Sequence, residues 1–134
     1  MTQAAKAGRP PVLVIEDEPS VIAFIQAALE RSGYHVKPVA SGAEALELLR
    51  DGGDDYLGII SDMRTPGGVT GADVYAWITS HRHDLLGRVV FITGDTVNEE
   101  TLQLLQSTGA PCIEKPFRVQ QLIAAVEETF GRSA

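Results

Sequence analysis

Four short apolar runs in this chain each end in polar side chains, and this pattern constrains the fold more than any other feature of the sequence. The runs are 12–15 before Glu16 and Asp17, 57–61 before Asp62, 89–92 before Thr93, and 112–113 before Glu114, Lys115 and Pro116. If the runs are neighbouring parallel strands, their carboxyl ends meet at one edge of one sheet. Three carboxylates, a hydroxyl and an ammonium would then lie together at that edge.

Segments with helical periodicity alternate with these strands. Pro19 begins the first helix, a capping pattern from Ser41 to Glu44 begins the second, and further helices are predicted at 71–81, 99–107 and 119–130. With a short strand at 35–39, the chain repeats a strand and a helix five times. This order predicts an α/β fold, a parallel five-stranded sheet with helices on both faces. Residues 11–134 form the predicted domain, and residues 1–10 a flexible tail or linker.

Composition narrows the class of protein. A chain of 134 residues that is 44% hydrophobic has enough apolar material for one domain core. Eighteen acidic against 11 basic residues give a net charge of −7 without a basic cluster, which argues against direct nucleic-acid binding. The single Cys112 precludes an internal disulfide and fits a reducing compartment. Apolar runs of four or five residues are far shorter than the ~20 needed to span a bilayer. We therefore expect a cytoplasmic domain without membrane contact.

The residues at the strand ends suit phosphoryl transfer. Glu16, Asp17 and Asp62 would be like charges at close range, and a hard dication such as Mg²⁺ relieves their repulsion. A carboxylate can act as the nucleophile and form an acyl phosphate. Lys115 can pair with one phosphoryl oxygen and the Thr93 hydroxyl can donate to another. The sequence therefore predicts a site for a divalent cation and a phosphoryl group.

Four sequence blocks resemble the signature of response-regulator receiver domains from two-component signalling. The blocks are Glu16-Asp17-Glu18-Pro19, Ser61-Asp62-Met63-Arg64, Phe91-Ile92-Thr93-Gly94-Asp95 and Glu114-Lys115-Pro116-Phe117. They stand in the family's order and spacing, over nearly the whole chain. The resemblance implies the (βα)5 flavodoxin-like receiver fold with strand order 2-1-3-4-5. The segments 91–96 and 109–117 also resemble the C-terminal receivers of hybrid histidine kinases.

The resemblance implies a role for each acidic position. Asp62 is the phosphoacceptor, which takes its phosphoryl group from a phosphohistidine. Asp17, Asp62 and the backbone carbonyl of Arg64 bind Mg²⁺, with Mn²⁺ as a plausible substitute. Glu16 holds metal-bound water or ligates at longer reach, although the family usually has Asp at this position.

The resemblance also assigns the switch. Thr93 and Lys115 contact the phosphoryl oxygens and move with them, and the bond between Lys115 and Pro116 is expected to be cis. Cys112 stands at the position where the family often has an aromatic switch residue. We expect Cys112 to be a small buried apolar side chain. The alternatives are signalling through loop and helix shifts around Thr93, or a redox role for the thiol.

One further departure and one hypothesis concern the loops around the site. The segment between Asp62 and Gly71 is one residue longer than the usual spacing of the family. Arg64 and Asp95 lie two positions beyond the acceptor and the switch Thr93, respectively. We hypothesise a salt bridge between them that slows hydrolysis of the phosphoryl group, with two solvated surface charges as the alternative.

The sequence thus predicts a phosphoacceptor module that is not an enzyme, apart from assisting its own Mg²⁺-dependent phosphorylation and dephosphorylation. Its expected partner is a histidine kinase or a histidine phosphotransfer domain, either separate or in the same polypeptide, and a homodimer is possible. One alternative is a degenerate receiver that acts as a phosphorylation-independent interaction module. The other is a small Mg²⁺-dependent α/β enzyme, although the chain lacks the Asp-x-Asp pattern that such enzymes require after the third strand.

Overall fold

The structure, a computed structural model, describes residues 10–51, 55–64, 68–94 and 99–130, without the side chains of residues 100, 101 and 104. Nine of the ten residues of the predicted tail therefore lie outside the described residues. The strands are β1 (Val12–Ile15), β2 (Val36–Val39), β3 (Gly58–Asp62), β4 (Val89–Thr93) and β5 (Cys112–Glu114). The helices are α1 (Pro19–Arg31), α2 (Gly42–Asp51), α3 (Gly71–His81), α4 (Glu99–Thr108) and α5 (Val119–Phe130), with a 3-10 turn at His83–Leu85.

The five strands form one parallel sheet in the order β2-β1-β3-β4-β5. This confirms the predicted fold class and strand order. The register sets Ile15 beside Ser61, Asp62 beside Ile92, and Thr93 beside Glu114. The carboxyl ends of β1, β3, β4 and β5 therefore lie level with one another at one edge.

Helices cover both faces of the sheet and bury a core on each. On one face, α1 and α5 pack on alternate residues of the strands; the buried residues of this first core are Val12, Val14, Ile25, Ala28, Leu29, Tyr34, Leu57, Ile60, Val90, Ile92, Ile113, Leu122, Val126 and Phe130. The second core, on the opposite face, contains residues of α2, α3 and α4. Its buried residues are Leu13, Ile15, Ala45, Leu49, Tyr56, Ile59, Met63, Val74, Ile78, Leu85, Val89, Phe91 and Leu105. Two apolar faces explain why the strands read as continuous apolar runs rather than as alternating patterns.

Helix α3 begins directly over the end of β3. Thr70 and Asp73 form a reciprocal capping box, in which each side chain accepts from the other residue's backbone N–H. The first residue of the helix is Gly71, where a Cβ atom would lie 2.7 Å from the carbonyl oxygen of Asp62. Glycine thus lets the helix start against the strand end that carries the site. Farther along the helix, Trp77 is half-buried and its ring stacks on that of His81.

The helix predicted at 99–107 is confirmed as α4, which extends one residue further, to Thr108. Gly109 follows it with a φ of 70° and donates its N–H to the carbonyl of Leu105, which closes the last turn. Among the described residues, no helix has both the length and the apolar character needed to cross a membrane.

Candidate functional site

The predicted site residues meet at the carboxyl edge of the sheet. Glu16 and Asp17 directly follow β1, Asp62 is the last residue of β3, and Thr93 is the last residue of β4. Lys115 follows β5, and its backbone N–H donates to the carbonyl of Thr93 at 2.7 Å. The structure therefore brings together the carboxylates, hydroxyl and ammonium that the sequence pattern placed at one edge.

Lys115 is bound to two of the three carboxylates. Its Nζ donates to Oδ2 of Asp62 at 2.9 Å and lies 3.2 Å from Oε1 of Glu16. Burial disfavours the charged ammonium, but the hydrogen bond to Asp62 and the attraction of both carboxylates outweigh it, so the pKa of Lys115 is raised. Lys115 is therefore a fixed cation at the base of the site.

Glu16 is almost fully buried, at 1% exposure, and its carboxylate is incompletely satisfied. Oε2 accepts from the backbone N–H of Glu18 at 3.1 Å. Oε1 has no hydrogen-bond partner among the described residues, because Lys115 approaches it within ion-pair distance but without hydrogen-bond geometry. Burial raises the pKa of the Glu16 carboxyl, the Glu18 N–H lowers it in part, and the charge of Asp62 raises it again. The site thus holds more negative charge than Lys115 alone compensates.

The three acidic residues suit a divalent cation. Glu16, Asp17 and Asp62 each offer a carboxylate oxygen, and these oxygens lie within 4.8 Å of one another. Asp17 is exposed, whereas the other two are buried, so the cluster opens to solvent on one side. An all-oxygen donor set that leaves room for water is the type that Mg²⁺ prefers. Oε1 of Glu16 has no hydrogen-bond partner among the described residues, and a cation bound there would give it a ligand. The cation would also favour the charged carboxylate, against the raised pKa of Glu16. These residues therefore fit the predicted metal.

The second oxygen of Asp62 is held by the backbone of the following loop. The N–H of Arg64 donates to Oδ1 of Asp62 at 3.0 Å, and the side chain of Arg64 is exposed. Asp95 and residues 65–67 lie outside the described residues, so the Arg64–Asp95 salt bridge and the lengthened loop remain predictions. Thr93 is buried at 2% exposure and directly follows Ile92, the residue of β4 that is paired with Asp62.

An open pocket of about 490 Å³ adjoins Lys115, and the sequence reasoning missed it. Its lining residues are Ser20, Val21, Phe24, Gly94, Lys115, Pro116 and Phe117. Phe24 of α1 is 38% exposed and meets Phe117 edge to face, with ring centroids 5.6 Å apart. The bond between Lys115 and Pro116 is cis. The signal in the sequence that could have revealed this pocket is Phe24, a large apolar residue in the helix that follows Glu16 and Asp17.

Cys112 is exposed, so the interpretation of this residue as a buried apolar side chain was wrong. The reason is that β5 is an edge strand in which only Ile113 faces the core. Although the residue is exposed, its thiol is partly covered, and this partial burial raises the pKa of Cys112 to about 11, with a further contribution from the charge of Glu114. A raised pKa leaves little thiolate, which argues against a redox role.

We expect alkylation of Cys112 by iodoacetamide at pH 8 to be slower than that of an unfolded cysteine by about tenfold or more, because only the thiolate reacts. The rate should keep rising between pH 8 and pH 10, since the pKa of about 11 lies above this interval. Intact mass against time measures the rate, and the same protein in urea is the control. A rate that levels off near pH 9 would contradict the raised pKa.

Comparison with known protein families gives one consistent result. The family model for the response regulator receiver domain matches residues 12–127. The transcriptional regulatory protein TcrA of Mycobacterium tuberculosis is 31% identical over 84% of this chain and 43% of its own length. The sensor kinase CckA of Brucella abortus is 29% identical over 91% of this chain and 13% of its own length. The chain therefore spans less than half the length of these curated relatives.

Solved structures show the same fold. The signal receiver domain of a putative Luxo repressor protein from Vibrio parahaemolyticus matches with a TM-score of 0.78 and 25% identity, covering 92% of both chains. The receiver domain of the sensor histidine kinase PA1611 from Pseudomonas aeruginosa matches with a TM-score of 0.79 and 24% identity, covering 92% of this chain and 98% of its own. That domain holds a magnesium ion in its active site cleft.

Proposed function

This chain belongs to the response regulator receiver domain family of two-component systems, and from that membership we propose that Asp62 accepts a phosphoryl group from a phosphohistidine. The observation that carries the proposal is the set of contacts around Asp62. Its carboxylate ends a central strand, two further acidic side chains offer oxygens within 4.8 Å, and Lys115 donates to it at 2.9 Å. A nucleophile, a cation site and a fixed ammonium at one point are what phosphoryl transfer to a carboxylate requires.

Mg²⁺ is the proposed cofactor, with Mn²⁺ as a substitute of similar oxygen chemistry. Glu16, Asp17, Asp62 and the backbone carbonyl of Arg64 would hold it. When bound, the cation neutralises charge on the incoming phosphoryl group and on the acidic cluster. Support comes from the unsatisfied Oε1 of Glu16 and from the excess of carboxylates over ammonium at the site.

The protein's own residues supply the rest of the reaction. A carboxylate oxygen of Asp62 attacks phosphorus and forms an O–P bond, while the N–P bond of phosphohistidine breaks and its electron pair stays on the imidazole. The imidazole nitrogen is then free to take up a proton from solvent. Lys115, which binds Asp62 before the reaction, would transfer its hydrogen bond to a phosphoryl oxygen, and Thr93 would donate its hydroxyl to another. Phosphoryl transfer needs little beyond such positioning and charge compensation.

The protein acts on no separate substrate in this scheme, because Asp62 is itself the group that is modified. It assists its own phosphorylation, and its own return to the free carboxylate when water attacks the acyl phosphate. Receiver domains work with histidine kinases or phosphotransfer proteins, and we propose a cytoplasmic partner of this kind. The apolar pocket beside Lys115 offers this partner a surface next to the reacting group.

Intact mass spectrometry after incubation with acetyl phosphate tests the proposal. In the presence of Mg²⁺ the protein should gain the mass of one phosphoryl group, and Mn²⁺ should also support the reaction. With EDTA the adduct should not form, and hydroxylamine should remove it, because acyl phosphates react with this nucleophile. An adduct that forms equally well in EDTA would contradict the metal-dependent mechanism. No adduct from acetyl phosphate or from a phosphorylated histidine domain would leave the degenerate receiver as the better interpretation.

A further inference from the structure

Tyr75, in the middle of α3, connects strand β4 to the end of α4. Its ring lies against the ring of Phe91, with centroids 5.9 Å apart and the planes tilted by 49°. Its hydroxyl donates to the backbone carbonyl of Thr108, the last residue of α4, at 3.0 Å. One side chain thus contacts both the middle of β4 and the last residue of α4.

Tyr75 packs on the face of β4 to which Thr93, the proposed switch residue, also belongs. Side chains two apart in a strand share a face, so Phe91 and Thr93 lie on the same side of β4. Phe91 is fully buried in the second core, to which Tyr75 adds its half-buried ring. If Thr93 shifted towards a phosphoryl group on Asp62, the strand face that carries Phe91, on which Tyr75 packs, would shift with it.

The hydroxyl of Tyr75 binds the carbonyl of Thr108, which has no hydrogen-bond donor within its own helix. The last four carbonyls of a helix have no partner within the helix, and Thr108 contributes one of them. The chain turns sharply after Thr108, at Gly109 with its φ of 70°. Ala110 donates its N–H to the hydroxyl of Thr108 at 3.2 Å. The Tyr75 hydroxyl thus stabilises the turn that leads from α4 into β5.

Tyr75 also borders open space into which it can move. A groove of about 470 Å³ lies between α3 and the end of α4, beside the hydrogen bond to Thr108. The side chains that line it besides Tyr75 are small or polar: Ala72, Asp73, Ala76, Thr79, Ser107 and Thr108. Because packed interiors rearrange in discrete steps rather than stretch, a ring with a packed position and an adjacent open groove can have two defined positions.

We propose that Tyr75 is the aromatic coupling residue of this chain, which transmits the state of Asp62 from Thr93 to the end of α4. Phosphorylation draws Thr93 towards Asp62, the Tyr75 ring leaves Phe91 for the groove, and the hydrogen bond to Thr108 is released. The last turn of α4 then loosens. This inference rests on the proposed function, and it gives the chain an aromatic coupling that Cys112, which has no ring, cannot provide.

Hydrogen exchange of the backbone amides at the end of α4 tests this coupling, with beryllofluoride and Mg²⁺ as the phosphoryl mimic. In the wild-type protein the mimic should speed exchange at Thr108, Gly109 and Ala110. Tyr75→Phe removes only the hydroxyl, so these amides should already exchange about fivefold faster without the mimic. In Tyr75→Phe, the mimic should increase these exchange rates by less than half of the increase that it causes in the wild-type protein. Tyr34→Phe is the matched control, because Tyr34 is buried in the first core on the opposite face of the sheet.

The outcomes separate this inference from the function on which it rests. A wild-type response that persists in full in Tyr75→Phe overturns the coupling role while leaving the phosphoacceptor intact. An equal loss of response in Tyr34→Phe also overturns it, since the effect would then be general destabilisation. A wild-type protein that forms no adduct with acetyl phosphate and shows no response to the mimic overturns both the proposed function and this inference.

Discussion

Replacing Asp62 with asparagine is expected to abolish the Mg²⁺-dependent phosphoryl adduct. The amide has no anionic oxygen to attack phosphorus, and it removes one of the three charges that would hold the cation. The fold should persist, because the hydrogen bond lost to Lys115 is offset by relief of the repulsion between Asp62 and Glu16. We expect the free energy of unfolding to change by no more than about 1 kcal/mol.

The matched control for Asp62→Asn is the same substitution at a carboxylate that is exposed and remote from the site. Asp51 meets this condition, because it ends α2, whose direction carries it away from the carboxyl edge of the sheet. Intact mass after incubation with acetyl phosphate and Mg²⁺ should show the wild-type level of adduct in Asp51→Asn and none in Asp62→Asn. Thermal unfolding of both variants verifies that they are folded. Equal labelling of Asp62→Asn and wild type would show that another residue is the acceptor.

Replacing Gly58 with alanine is expected to destabilise the fold by about 1–3 kcal/mol through overpacking. A Cβ atom at this position would lie 2.4 Å from two carbon atoms of the Phe130 ring. Phe130 cannot easily move, because it is 1% exposed and its carbonyl accepts from Arg88 at 2.6 Å. The same guanidinium nitrogen also donates to the carbonyl of Leu57 at 3.2 Å, which ties the end of α5 to the start of β3.

Gly94→Ala is the matched control for this substitution. Its Cβ atom would meet the nearest neighbours, in Lys115, at 3.9 Å, which is ordinary van der Waals contact. Urea unfolding should therefore give a lower midpoint for Gly58→Ala and a nearly unchanged midpoint for Gly94→Ala. Adding Phe130→Leu to Gly58→Ala should recover part of the loss, since a smaller side chain accommodates the methyl group. Equal stability of Gly58→Ala and wild type would contradict the close packing at this point.

The general fold and the position of the site followed from sequence because both depend on local patterns. Apolar runs of four or five residues separated by helical periodicity define the strands, and parallel strands necessarily bring their carboxyl ends together. Asp62 and Lys115 are 53 residues apart, yet each is placed by the strand that precedes it. Residue type at the strand ends therefore predicted which groups share this edge, and the resemblance to receiver domains supplied the strand order that makes them neighbours.

The features that escaped prediction depend on contacts between distant segments. Nothing local marks Gly58 as the residue beneath Phe130, or Tyr75 as the partner of Thr108, 33 residues away. The exposure of Cys112 depends on the sheet order, which makes β5 an edge strand, and not on the residue itself. The burial of Glu16 and its unsatisfied oxygen likewise depend on how Lys115 and the neighbouring strands close around it.

Chemical trapping identifies the phosphorylated residue itself, and so tests whether Asp62 is the phosphoacceptor. Borohydride reduces an acyl phosphate on aspartate to homoserine, so the protein is treated with acetyl phosphate and Mg²⁺, reduced, digested and sequenced by mass spectrometry. We expect homoserine at position 62 and nowhere else, and none when EDTA replaces Mg²⁺. Homoserine at Asp17 instead, or an unmodified Asp62 in protein that carries the phosphoryl adduct, would contradict it.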